Sequence, residues 1–105
     1  MTPADPRAMA RDVAKALFRA TDPEEFRPES DWHDLGMLVD ALEIRGLCLL
    51  LNSAFQGGRI RRIASLHQET GQGFPCKGSS EWGFYPTVGE AVLRAAHEAL
   101  VAPRT

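Results

Sequence analysis

A chain of 105 residues with a formal net charge of −2, 44% apolar and 25% charged residues has the size and balance of one globular domain, not of a disordered chain. The slightly acidic charge excludes a global attraction to nucleic acid or to anionic membranes. The two cysteines, Cys48 and Cys76, are too few for a disulfide scaffold, and the longest apolar run, residues 47–51, is far too short to span a bilayer.

The predicted elements begin with a helix near Asp5, where Asp5 caps and Pro6 suits the first helical position. Ala10, Val13, Ala14, Leu17 and Phe18 then recur at helical spacing. Residues 21–30 read as a connector stopped by Pro28. A second helix starts at Ser30 or Asp31, carries Leu35, Leu38, Val39 and Leu42 on one face, and ends at Gly46. The uninterrupted run 47–51 suits a strand covered on both sides, with Cys48 a buried thiol. Gln56-Gly57-Gly58-Arg59 reads as a hairpin turn, and 60–69 as the returning strand, with a bulge near Arg61 and Arg62 to reconcile Ile63 with Ile60, Ala64 and Leu66. Residues 70–80 are loop by composition, and 81–85 a short third strand with Trp82 and Phe84 on one face. Thr87 and Glu90 have the spacing of a capping box for a last helix whose Ala91, Ala95, Ala96 and Ala99 permit close approach to a sheet. Residues 103–105 read as a frayed tail.

The expected fold is therefore α+β: an N-terminal helix over 1–20, a connector over 21–30, and a helix, three-stranded antiparallel meander and helix over 31–102, all in one domain. The second and last helices share one face of the sheet. The first helix is the least integrated element, and its apolar side either covers the opposite face or lies across a neighbour's sheet. Exchange of that helix gives a symmetric homodimer, which is favoured over a monomer.

Candidate chemistry is sparse. The loop 73–80 has Ser79 after Gly78 where a phosphate loop needs lysine, and a strand where it needs a helix. His33, His67, His97, Cys48 and Cys76 have no metal-ligand spacing, and His33 and His97 read as solvated helix residues. Nucleophilic catalysis needs a Cys or Ser beside a His and an orienting acid, and Cys76 with His67, either side of a loop apex, is the one pair that can be written. No catalytic, cofactor or metal residue is assigned. Arg59, Arg61 and Arg62 form the best polar cluster, a charged hairpin or a contact patch for phosphate or an acidic protein; Trp32, first in its helix, is a candidate interface aromatic.

Two resemblances bear on this. The helix, three strands, helix order over residues 30–101 is that of the double-stranded RNA-binding domain, and the last helix, with Ala91, Ala95, Ala96 and Ala99, resembles that family's alanine-rich helix. The family's phosphate-gripping lysines have no match, because residues 87–90 here are Thr-Val-Gly-Glu. Residues 26–101, with Phe26-Arg27-Pro28-Glu29-Ser30-Asp31 entering a helix that carries Leu38, Val39 and Leu42, a strand hairpin, a Gly-rich loop, and Thr87 followed by Glu90-Ala91-Val92 and Arg94-Ala95-Ala96, are similar to the small phage proteins of the phage ABA sandwich family. That resemblance implies a phage or prophage origin and an accessory role. The expected function is a non-enzymatic protein that binds another macromolecule, such as a host or defence protein, in the host cytoplasm. The alternative is a nucleic-acid-binding module using the Arg59, Arg61 and Arg62 hairpin. With no basic stretch followed by an apolar one at the N-terminus, no signal peptide is expected.

Overall fold

The protein is seen in a computed structural model that describes residues 5–101. Residues 1–4, on which the signal-peptide reading rests, and 102–105, which include the expected frayed tail, lie outside the described residues. The described chain runs α1 (Pro6–Leu17), α2 (Trp32–Ile44), β1 (Leu47–Gln56), β2 (Arg59–Gln68), β3 (Cys76–Ser79) and α3 (Val88–Leu100). The strands form one antiparallel sheet in the order β1-β2-β3. The fold is α+β with the expected order of elements.

Local chemistry sets the helix limits. The Asp5 side chain accepts from the Arg7 N–H at 3.0 Å, with Pro6 first in α1. Asp31 caps α2 by accepting from the Asp34 N–H at 3.1 Å, and Gly46 ends it at φ +82°. Thr87 caps α3 by accepting from the Glu90 N–H at 3.1 Å and donates its hydroxyl to Glu29 O at 2.6 Å. The capping box is only half made: the Glu90 carboxylate accepts from Arg94 Nε at 3.3 Å instead of turning back to Thr87.

The second and last helices share one face of the sheet as expected, and only α1 sits differently. α2 lies over β1, and α3 lies over β2 and β3, on one face of the sheet. α1 packs against α3 rather than against the sheet, burying Met9, Ala10, Val13 and Ala14. The expectation that α1 is loosely integrated, or covers the far face of its own sheet, is therefore corrected. α3 is the central element, with Ala91, Val92, Leu93, Ala95 and Ala96 all buried between sheet and helix. The segment 21–30 is no free tether either. Phe26 is buried with its ring 5.1 Å from that of Phe18, and Pro28 is buried too. Arg7 clamps this segment, donating to Glu29 Oε2 at 2.7 Å, to Phe26 O at 2.8 Å and to Glu24 O at 3.1 Å.

The sheet also departs from expectation. β1 and β2 pair in unbroken register from Leu47↔Gln68 to Gln56↔Arg59, so no bulge falls at Arg61 and Arg62. The one register shift lies between Leu66 and His67 in the β2–β3 ladder. Ile63 needs no bulge because it points to the sheet face opposite Ala64 and Leu66. The third strand is Cys76–Ser79, inside the expected loop, not 81–85. Beyond it the Ser80 hydroxyl accepts from the Ala64 N–H at 3.0 Å and Glu81 turns to φ +62°, which interrupts the strand. Pairing resumes only as a bridge between Arg62 and Gly83. β3 is set so close to α3 that a Cβ on Gly78 would overlap Ala95 O and stand 2.7 Å from Ala99 N.

Candidate interaction surface

Alternation along the ladder sorts side chains to two faces. Leu47, Leu49, Ala64 and Leu66 point to the helices and enter the core. Their neighbours Cys48, Leu50, Asn52, Arg59, Arg61, Ile63, Ser65 and His67 point to the other face, which no helix covers. The expected burial of the 47–51 strand on both sides is thus wrong: Leu50 is 53% exposed and Cys48 is exposed. The physical reason is the position of α1, the one spare apolar helix, which spends its apolar side on α3.

This open face carries the arginines in an ordered setting. The Arg59 guanidinium lies 4.1 Å from the centre of the Phe84 ring, and that of Arg61 lies 5.3 Å from the centre of the Trp82 ring. Such stacking holds a cation over the π-face and removes much of its conformational freedom. Trp82 and Phe84 remain 42% and 39% exposed. Leu50, Ile63, Trp82 and Phe84 thus give the face an apolar floor, and Arg59 and Arg61 give it charge.

Arg62 is placed differently. It points to the helix side and donates through Nη1 to Tyr85 O at 2.8 Å, while its backbone bridges Gly83. Its Nε is buried without a partner. Arg62 thus ties the 82–85 segment to β2, and the expected three-arginine cluster is two stacked arginines plus one structural one. Trp32 is 78% exposed at the start of α2 and lines a separate small cleft with Pro28, Glu29, Thr87 and Gly89.

The titratable groups serve the fold. His67 and Cys76 are register partners, but the imidazole contacts Phe74 O at 3.1 Å and Ser65 Oγ at 3.0 Å, and the thiol contacts Gly78 O at 3.4 Å. Asp31, His33 and Asp34 cluster at the start of α2, where Asp31 caps the helix, Asp34 Oδ2 accepts from the Arg27 N–H at 2.9 Å, and Asp34 Oδ1 lies 3.4 Å from His33 Nδ1. His33 is exposed as expected. His97 is not: it is 1% exposed, with Nε2 3.2 Å from Asp12 Oδ2 of α1 and Nδ1 without a partner. The expectation of a solvated His97 fails because α1 covers that side of α3.

Among the described residues, no helix is long and apolar enough to cross a membrane. Compared with known proteins, the chain matches no family model, no curated protein and no solved structure at a significant level.

The open face was partly foreshadowed by a run that is apolar at both parities, as neither a one-faced strand nor its polar alternation would be. The pairing of Arg59 with Phe84 and Arg61 with Trp82 was not, since it depends on a chain reversal more than twenty residues long and on a bridge at Gly83.

Proposed function

We propose that this chain is a non-enzymatic binding domain that engages another protein through the helix-free face of its sheet. The observation that carries this is the exposed apolar floor of Leu50, Trp82 and Phe84 with Arg59 and Arg61 stacked at its edge. Aromatic residues and arginine are the types that dominate protein-binding hot spots, and prior stacking reduces the entropy lost when a partner docks. The similarity of residues 26–101 to the phage ABA sandwich family supports a phage or prophage accessory role in the host cytoplasm, with a host or defence protein as the partner. The test is affinity capture from that host with three chains: wild type, Arg61→Glu combined with Trp82→Ala, and Trp32→Ala. A partner held by the wild type and by Trp32→Ala but released by the double variant supports the proposal. A partner retained by the double variant refutes it.

A nucleic-acid module is the second reading, and the same stacked pairs favour it, because exposed aromatic rings beside arginines also form platforms for unpaired bases. The net charge of −2 and the use of Arg62 in the fold count against it. Titration against single- and double-stranded RNA and DNA separates the two: a phosphate-driven complex weakens steeply as salt rises, and absence of binding at low salt removes this reading.

A further inference from the structure

β1 is an edge strand along its whole length, and its free edge can be read residue by residue. The Arg62 and Gln68 N–H groups donate to the β3 side, to Gly83 O and Pro75 O, and Ala64 O accepts from Ser80 N. In an antiparallel ladder alternate residues bond to alternate sides, so Arg61, Ile63 and Ser65 bond toward β1, and their partners Ala54, Asn52 and Leu50 bond toward β2. Leu49, Leu51, Ser53 and Phe55 therefore direct their N–H and C=O groups outward, and none of these groups meets a partner within the described chain.

Edge strands are ordinarily protected by brevity, by proline, by charge or by a bulge. β3, the opposite edge, is four residues long. β1 has ten residues, Leu-Cys-Leu-Leu-Leu-Asn-Ser-Ala-Phe-Gln, with no proline and no charge, and its ladder has no bulge. Its distal half, residues 50–56, is exposed throughout, and Phe55 is 80% exposed on the helix side of the sheet beyond the reach of α2.

The two ends of this edge are complementary. At its root an open groove of about 530 Å³ is lined by Val39, Glu43, Leu47, Leu49, Glu69 and Phe74. At its tip stands Phe55, 80% exposed. An antiparallel neighbour brings tip to root, so that the exposed Phe55 ring meets the apolar wall that Val39, Leu47 and Leu49 give the groove. A strand that satisfies this arrangement is β1 itself.

We propose that two copies of this chain pair β1 against β1, antiparallel about a two-fold axis near Leu51, to make one continuous six-stranded sheet with all helices on one face. In this register Leu47 lies opposite Phe55 of the second copy, and opposed residues share a face, so Phe55 enters the partner's groove from the helix side. The strip is about 33 Å long, and a depth of roughly 15 Å gives on the order of 1,000 Å² in total, at the lower bound of a specific interface. The association is expected in the micromolar range. It is independent of whether the open face binds a protein.

Sedimentation of the full chain across the micromolar range tests this. The expected result is a reversible rise from the 11.6 kDa of one chain toward twice that mass. Leu51→Lys sets two ammonium groups together at the axis and is expected to weaken association on the order of 100-fold. Ser53→Pro removes a donor that faces only the second copy, as edge strands tolerate, and is expected to weaken it about tenfold or more. Circular dichroism establishes that each variant is folded. In the wild type, with no substitution, the amides of Leu49, Leu51 and Ser53 should exchange more slowly with rising concentration, while those of Leu50 and Asn52, already bonded to β2, should not change. A chain that stays monomeric at every concentration, association undiminished in either folded variant, or concentration-independent exchange at those three amides overturns the proposal.

Discussion

Gly78→Ala is the most informative single change to the fold. A Cβ there would overlap Ala95 O and lie 2.7 Å from Ala99 N, and neither is a flexible side-chain end that could swing away. Both are backbone atoms of α3, so strand and helix must separate by about 1 Å before the contact becomes ordinary. Overpacking of this kind costs about 1–3 kcal/mol. The separation also opens a gap beneath Leu66 and Ala64, which are fully buried beside Gly78. A gap of that size forfeits roughly a quarter to a half of each dispersion contact across it, which adds about 1 kcal/mol. The total is about 2–4 kcal/mol, or a fall in Tm of about 10–25 °C for a domain of this length. Urea unfolding followed by tryptophan fluorescence measures it. Gly71→Ala is the control, because nothing lies within 4 Å of a Cβ there and its φ is not left-handed; it is expected to change stability by less than about 1 kcal/mol. A Gly78→Ala chain as stable as Gly71→Ala would refute the account of how β3 meets α3.

Two further predictions concern polar groups under α1. Arg7→Met is expected to cost about 2–4 kcal/mol, since it strips Glu29 of its ion pair and Phe26 O and Glu24 O of their donor, and Glu29 Oε1 already lacks a partner in a mostly buried site; chemical denaturation checks it. His97→Leu is expected to be neutral or stabilising, because it replaces a buried ring whose Nδ1 is unsatisfied by an apolar group of similar size, whereas Asp12→Ala is expected to cost about 1–3 kcal/mol by leaving the whole imidazole unpaired. The opposite order of these two midpoints would show that the pair holds α1 in place by attraction.

Sequence patterns captured what is local in this fold. Asp5, Asp31 and Thr87 cap the helices they were expected to cap, Gly57 and Gly58 both take the positive φ that a two-residue hairpin turn requires, and Leu35, Leu38 and Leu42 form the buried stripe of α2. The misses are tertiary. β propensity marks Trp82 and Phe84 and so points to 81–85 as the third strand, but the strand lies at Cys76–Ser79, where Gly78 permits close approach to α3. His97 reads as polar-face residue only while α3 is taken to have one buried side; with the sheet on one side and α1 on the other, it has two. Stacking of the two arginines was illegible for the same reason, since sequence shows neither the register of β2 against the 82–84 segment nor the face on which α1 would settle.

The position of α1 links both candidate surfaces. A sheet needs cover on each apolar face, and this chain has three helices for two faces. Had α1 crossed the sheet, Leu50 and Ile63 would be core and the arginines would be a rim. Because it lies on α3, held there by Met9, Val13 and the Arg7 clamp, the sheet keeps one face and one edge open. The two are continuous, for Leu50 and Asn52 of the open face alternate with Leu49, Leu51 and Ser53 of the open edge. Pairing of β1 with β1 would therefore join the open faces of both copies into a single platform with a two-fold axis through its centre and an Arg–aromatic pair cluster on either side. A partner bound to such a platform would meet each cluster once, so substitutions at the edge would lower the affinity of the face without touching it. Measuring partner binding by the Leu51→Lys chain tests that coupling: a bivalent partner should bind it on the order of 100-fold more weakly than the wild type through lost avidity, and unchanged affinity would show that each face acts alone.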